Sequence, residues 1–388
     1  MVFIGDSLTA GFQNFSLLDS QQAHGYAAVL AGQAGATINL PLMAAPGVPP
    51  ALKLDGSGNI VVDSTPLPML PRENPAVQPT DLAVPGVFLK DLLTLRPEFP
   101  PPDQPPASLV QSLADLILGF PSPYLAPPLV PKTQVQQAAD LSPTTIIAWA
   151  GNNDLLFPEL FGPGIFPITP VGDFQTSFNQ LLDQLAATHA TVIVANIPDV
   201  TLIPYLTPAI KLAQQRKVPL TTVTSALGIG PADALRPSAL PLANAILDKS
   251  MPGPLQTTCP PPIPGPPPPV GFPPVPCVMT ANEIIQTKIA VLAYNAVIAF
   301  SAFRHNVTVV DIFSLVNRVA FLGVEVNGRR INLDFMNGFS SLDRMHPTNT
   351  GYAIIANEFI KTMNRHLDAD IPAVSVEQVA KTDPLFPH

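Results

Sequence analysis

Four short, nearly continuous apolar runs punctuate the chain: Val2–Ile4, Thr145–Ala150, Thr191–Asn196 and Val307–Val310. Runs of this length and kind read as buried strands. Asp81–Val84 is a weaker fifth run. Between the runs the apolar period lengthens to that of a helix. Phe178, Leu181, Leu182 and Leu185 share one face of a helix predicted from Phe174 to Thr188. Thr280-Ala281-Asn282-Glu283 has the form of a capping box and opens a helix predicted to reach about Phe303. Tyr352, Ile355, Phe359 and Met363 make the stripe of a closing helix over Asn349–Leu367. Strands alternating with helices predict an α/β sandwich around a mostly parallel sheet.

Three segments stand outside that skeleton. They are 35–79, with Asp55-Gly56-Ser57-Gly58-Asn59 as a turn, the proline-broken 99–132, and 202–278. The last contains Cys259-Pro260-Pro261-Pro262-Ile263-Pro264-Gly265-Pro266, which favours polyproline II and suits neither helix nor central strand. Loops this long in a compact domain usually carry function, so these are expected to be insertions in one domain over 1–388, with a lid or cap among them.

Composition narrows the class. A 47% hydrophobic and 12% charged chain buries a large core, which excludes a disordered protein. A net charge of −9 argues against a nucleic-acid partner. No apolar run is expected to span a membrane, because the strongest, Ile284–Phe300, is interrupted by Gln286, Lys288 and Asn295. Cys259 and Cys277 are the only cysteines. They are either two inert thiols or one disulfide stapling a low-propensity loop, and the disulfide is the expectation, with the oxidising compartment it implies. The chain starts directly on its first strand, so an export segment removed ahead of Met1 is expected.

The candidate chemistry sits at strand ends. Gly5-Asp6-Ser7-Leu8 carries a serine out of the first run into a glycine-flanked turn. Asp343-Arg344-Met345-His346 sets a carboxylate and an imidazole three residues apart. Serine is a poor nucleophile without an adjacent base, and histidine, with an unperturbed pKa of about 6.5, suits that role. The spacing lets Asp343 reach Nδ1–H of His346 and leaves Nε2 for Ser7. Asp81-Leu82-Ala83-Val84-Pro85-Gly86-Val87 and Gly151-Asn152-Asn153-Asp154 follow two further runs, where α/β sheets build ligand sites. Asp6 and Asp154 are expected to cap following helices, Asp311 to cap one at Ile312, and Asn152 to be a turn residue. His24, His189, His305, His366 and His388 have no partner at ligand spacing, so neither a metal nor a cofactor is expected.

These four blocks, in this order, resemble those of the SGNH, or GDSL, family of esterases and lipases. The resemblance implies a three-layer α/β/α sandwich with a flavodoxin-like five-stranded sheet in the order 2-1-3-4-5. It implies Ser7 as nucleophile, His346 as base, Asp343 as the residue orienting it, and an oxyanion hole from the Ser7 and Gly86 N–H groups and the Asn153 amide. Asn196-Ile197-Pro198-Asp199 matches a block whose role in the family is structural. The expected activity is carboxylic ester hydrolysis through an acyl-serine, on a small-molecule ester. Phe157, Leu160, Phe161, Ile165, Phe166 and Tyr205 either wall an acyl or aryl group or only pack against the core. The alternatives are an acyltransferase or carbohydrate deacetylase with the same triad, and a non-catalytic binding protein that keeps the fold.

Overall fold

A computed structural model describes residues 1–98, 108–119, 130–260 and 273–387. Four runs become parallel strands: β1 (Val2–Gly5), β2 (Thr145–Trp149), β3 (Thr191–Ala195) and β4 (Thr308–Val310). They lie side by side in that order. The weak fifth run pairs with the free edge of β1 through one parallel bridge, Phe3 to Asp81. Its hydrogen bonds are Phe3 N–H to Thr80 O at 2.8 Å, Leu82 N–H to Phe3 O at 2.9 Å and Val84 N–H to Gly5 O at 3.1 Å. Pro79 and Pro85 lack donors and confine the pairing between them, so the regular sheet has four strands where five were expected.

The strands are apolar throughout because both sheet faces are covered. Val2, Ile4, Ile146, Ala148, Val192 and Val194 point to one face. There they meet helices α2 (Gln134–Asp140), α4 (Val171–Ala186) and α5 (Ala281–His305), all numbered in chain order after α1 (Tyr26–Gln33). Phe3, Ile147, Trp149, Ile193 and Ala195 point to the other face, where α1, α6 (Ile312–Leu322) and α7 (Asn349–His366) pack. Helix α3 (Asn153–Phe161) leaves the carboxyl end of β2.

The capping box at Thr280 forms. Thr280 Oγ1 accepts from Glu283 N–H at 3.3 Å, and Glu283 Oε2 accepts from Thr280 N–H at 2.7 Å. Asp311 caps α6 through Ser314 N–H at 3.0 Å. Helix α5 corrects one reading: its 25 residues are long and apolar enough, by length and composition, to cross a membrane. Gln286, Lys288 and Asn295 lie within one continuous helix, as the helix predicted to about Phe303 requires. Val291, Tyr294 and Ile298 are buried against the sheet, and the Tyr294 ring stacks on Phe174 at 3.9 Å. Asn295 fastens the loop after β3 by accepting from Ile197 N–H and donating to Ile197 O, both at 2.8 Å.

The insertions keep their own order. Leu52–Leu54 pairs antiparallel with Ile60–Val62, and Asp55 Oδ1 closes the turn by accepting from Ser57 and Asn59 N–H, both at 2.8 Å. Within 99–132, Leu109–Leu118 is a helix capped by Ser108. In 202–278, helices Ala209–Arg216, Leu220–Leu227 and Leu240–Leu247 surround a separate apolar cluster. Cys259 and Cys277, both buried in this cluster, form the expected disulfide. Residues 261–266 of the polyproline reading lie outside the described residues.

Asp81, 1% exposed, has a testable consequence for stability. Burial pushes its carboxyl up to about 8, against the lowering effect of a hydrogen bond from Ala83 N–H. A raised acid keeps a proton in the folded chain that the unfolded chain releases. Its cost is therefore absent below about pH 4 and grows until about pH 8. Asp81→Asn is expected to gain stability relative to the parent from pH 5 to pH 8, by at most about 1.4 kcal/mol per pH unit. Denaturant titrations at several pH values check this, and a pH-independent difference would refute it.

Candidate active site

Strand β1 ends on Gly5, whose φ is +151°. A Cβ there would come within 2.2 Å of the Trp149 carbonyl oxygen, so only glycine lets the chain pass β2 this closely. The chain then turns, and Ser7 lies in the cleft beyond the sheet. Asp6 does not cap a helix, because turns rather than a helix follow it. Instead it pins the turn. Its Oδ1 accepts from Leu8 N–H at 3.1 Å and its Oδ2 from Asn152 Nδ2 at 2.8 Å. Burial pushes this carboxyl up to about 6, opposed first by the Asn152 bond and then by the Leu8 bond. Asn152 is thus a tether between two strand ends as well as a turn residue.

The second block folds into a tight turn with Arg344 at φ +66°. Asp343 Oδ1 accepts from the N–H groups of Met345 at 2.8 Å and His346 at 2.9 Å. Asp343 Oδ2 lies 2.9 Å from His346 Nδ1 and accepts from Phe15 N–H at 2.8 Å. Burial alone would raise this carboxyl. The adjoining His346 and the bonds from His346 and Met345 instead hold it below the ordinary carboxylate range. His346 Nε2 lies 2.9 Å from Ser7 Oγ. The imidazole packs on Phe12, with ring centroids 4.9 Å apart.

Sequence reading missed the residues that hold the two loops together. Asn14 Oδ1 accepts from Leu342 N–H at 3.0 Å, and Asn14 N–H donates to Ser341 Oγ at 3.1 Å. Tyr352 Oη–H donates to Phe12 O at 2.7 Å. Asn14 and Phe15 both have positive φ, at +53° and +59°. An asparagine at such a position is a common turn signal, but nothing local connects it to Leu342.

The glycine block follows the segment that bridges β1. Gly86 has φ +85°, and a Cβ there would press to 2.8 Å from Val110 Cγ2. Asn153 Nδ2 donates to Val87 O at 2.8 Å, which ties this block to the start of α3. Asp154 strengthens the tie rather than capping the helix. Its Oδ2 accepts from Leu89 N–H at 2.8 Å and its Oδ1 from Thr169 Oγ1 at 2.7 Å. Burial pushes it up to about 6 against those bonds.

The aromatic residues expected at a substrate wall form a cluster of their own. The Phe157 ring lies 5.2 Å from Phe88, 5.5 Å from Phe161 and 5.2 Å from Phe166. Leu160, Ile165 and Tyr205 join them. None of the six expected residues lines the cleft at Ser7, although Leu156, Ile203 and Met345 of the same cluster do. The cleft is also lined by Trp149, Val316, Leu333, Phe339 and Ile355, and no Asp, Glu, Lys or Arg among the described residues lines it. Beside the cluster, the fully buried Arg236 donates to the Glu159, Pro276 and Val278 carbonyls at 2.9, 3.0 and 2.7 Å. It joins the 202–278 insertion to α3. A lone arginine in an apolar segment was the available signal, and the sequence reading passed over it.

Ser7, Asn153 and His346 line one cleft beyond β1 and β2, and the glycine block is joined to it through the bond from Asn153 to Val87 O. Such an arrangement can pass a proton from a hydroxyl to an imidazole and present amide donors to a developing oxyanion. No curated protein sequence matches the chain. The model of the GDSL-like Lipase/Acylhydrolase family matches residues 1–359, which include all four blocks. The chain belongs to the GDSL-like lipase/acylhydrolase family.

Proposed function

We propose that the protein hydrolyses carboxylic esters of apolar acyl or aryl groups through an acyl-serine on Ser7. The observation that carries this reading is the unbroken chain Asp343 to His346 to Ser7, with 2.9 Å at each step. In this mechanism His346 Nε2 takes the Ser7 proton as Oγ attacks the ester carbonyl. Asp343 holds Nδ1–H and offsets the imidazolium charge. The Ser7 and Gly86 N–H groups and Asn153 Nδ2 receive the oxyanion. His346 then protonates the leaving alcohol, and a water repeats the sequence on the acyl-enzyme. A cleft without charged side chains supports an apolar ester over a sugar acetate. The Cys259–Cys277 bond supports an exported protein in an oxidising compartment.

A fluorophosphonate probe should label Ser7 alone, and p-nitrophenyl esters should be turned over. Labelling elsewhere, or none in an enzyme that hydrolyses esters, would exclude Ser7 as nucleophile. Asn153→Ala is expected to lower kcat by roughly 10²–10³ with little change in KM, because an oxyanion donor acts only in the transition state. Steady-state kinetics decide this, and an effect confined to KM or to melting temperature would assign Asn153 to binding or to structure.

A further inference from the structure

We infer that Arg344, stacked on Phe335 beside the cleft, binds an anionic group of the ester substrate, a carboxylate or a phosphate, that projects out of the apolar lining. The inference rests on the acyl-serine reading above and concerns the class of ester that the same site takes. The guanidinium carbon of Arg344 lies 3.8 Å from the centroid of the Phe335 ring. Contact with the ring face holds the plane of the guanidinium and leaves its N–H edge free to pair. Phe335 lies between Leu333 and Phe339 in the chain, and Arg344 adjoins Met345 and is two residues from His346. Those four neighbours line the cleft, whereas Phe335 and Arg344 do not. The stack therefore joins two of the segments that line the cleft, and a group bound by it sits outside the apolar lining.

Among the described residues no hydrogen bond or ion pair reaches the Arg344 guanidinium. The neighbouring acids are already engaged. Asp343 accepts from the N–H groups of Phe15, Met345 and His346 and holds His346 Nδ1. Asp334, next to Phe335, pairs with Lys211 of the 202–278 insertion. The Arg344 side chain is half-buried, so its charge is partly stripped of water while solvent still reaches it. Burial lowers its basicity, and no carboxylate acts against that. A guanidinium in this state suits a carboxylate or phosphate, which it grips with two parallel N–H bonds. The backbone of Arg344 is left-handed, with φ +66°, a conformation glycine would take without strain. The turn thus carries an arginine between two triad residues at a cost in backbone energy. A net charge of −9 works against anionic substrates at long range, so a preference for one requires a local cation.

The test pairs ionised esters with neutral ones of equal length at neutral pH. One series sets mono-p-nitrophenyl esters of straight dicarboxylic acids against those of monocarboxylic acids. The other sets acetates of ω-hydroxy acids against acetates of simple alcohols. In one series the ionised ester should exceed its neutral counterpart in kcat/KM by about tenfold or more over a band of lengths. The ratio should fall as salt is raised. Arg344→Met keeps an unbranched stem against the ring without the charge and should abolish the preference. Arg344→Lys, a point charge without the planar fork, should keep only part of it. Neutral esters preferred at every length would overturn the inference. So would an equal loss of rate on both kinds of ester in Arg344→Met, which would make Arg344 a structural residue of the turn. A second measurement needs neither turnover nor a change at Arg344. In the Ser7→Ala protein an ionised ester should protect Arg344 from phenylglyoxal, read by mass spectrometry, and its neutral counterpart should not. Equal protection by inorganic phosphate would make this a site for free anions and overturn the inference. Failure of the acyl-serine reading looks different: the wild-type protein would turn over no ester of either series while the ionised ester still protected Arg344.

Discussion

Ser7→Ala is expected to reduce ester hydrolysis by on the order of 10⁶ in kcat, as loss of the nucleophile does where a triad acts as a unit. The fold should survive the change. Among the described residues the Ser7 side chain has one hydrogen bond, to His346 Nε2, and it lies in the turn beyond β1 rather than in the core cluster on either face of the sheet. Losing one such bond costs about 1 kcal/mol of stability, against an effect on the rate that is far larger. Rate and melting temperature should therefore separate cleanly. A purified Ser7→Ala protein that retained a tenth of the wild-type kcat would eliminate Ser7 from the mechanism.

Asp343→Asn is expected to cost on the order of 10⁴ in kcat while preserving the turn. Asparagine keeps one oxygen, which can still accept from the Met345 and His346 N–H groups. Its amide nitrogen then faces His346 Nδ1 and Phe15 N–H, where Asp343 Oδ2 accepts from both. An NH₂ group there makes His346 accept at Nδ1, so its proton moves to Nε2 and it can no longer take one from Ser7. Phe15 N–H also loses its acceptor, which should lower stability by about 1 kcal/mol. The check is kcat for Asp343→Asn beside a deletion of the carboxyl, Asp343→Ala. If both variants kept most of the wild-type rate, Asp343 would be a structural residue of the turn rather than the group that orients His346.

The two variants probe parts of the site that differed in how readable they were. Asp343 and His346 are three residues apart, so a single turn joins them and local spacing was enough to pair them. Ser7 is 339 residues from His346, and only its placement after an apolar run pointed to the same sheet edge. Asp6 and Asp154 were misread for one reason. An aspartate at a strand end resembles a helix cap, but burial turned both side chains inward, to Asn152 in one case and to Leu89 and Thr169 in the other. Caps formed where the partner was local, as at Thr280 and Asp311. The expected aromatic wall shows the same limit. Residue type announced an apolar cluster at Phe157, Phe161 and Phe166, but not that it would pack together without lining the cleft at Ser7.

By itself, the sequence determined the four strand segments, the helices opening near Phe174, Thr280, Ile312 and Asn349, the caps with local partners, and the identity of the groups available for acyl transfer. These depend on period, on backbone geometry within a few residues and on side-chain chemistry. The tertiary structure alone decided that 80–84 bridges β1 without forming a regular strand, and that Asn14 and Phe15 support the His346 loop. It also decided that residues of α6 and α7, with Leu333, help line the cleft at Ser7. Each of these outcomes is a contact between residues far apart in the chain, as with Phe15 and Asp343, 328 positions apart. The energy of such contacts comes from joint burial and mutual hydrogen bonding, which no local pattern of residues encodes.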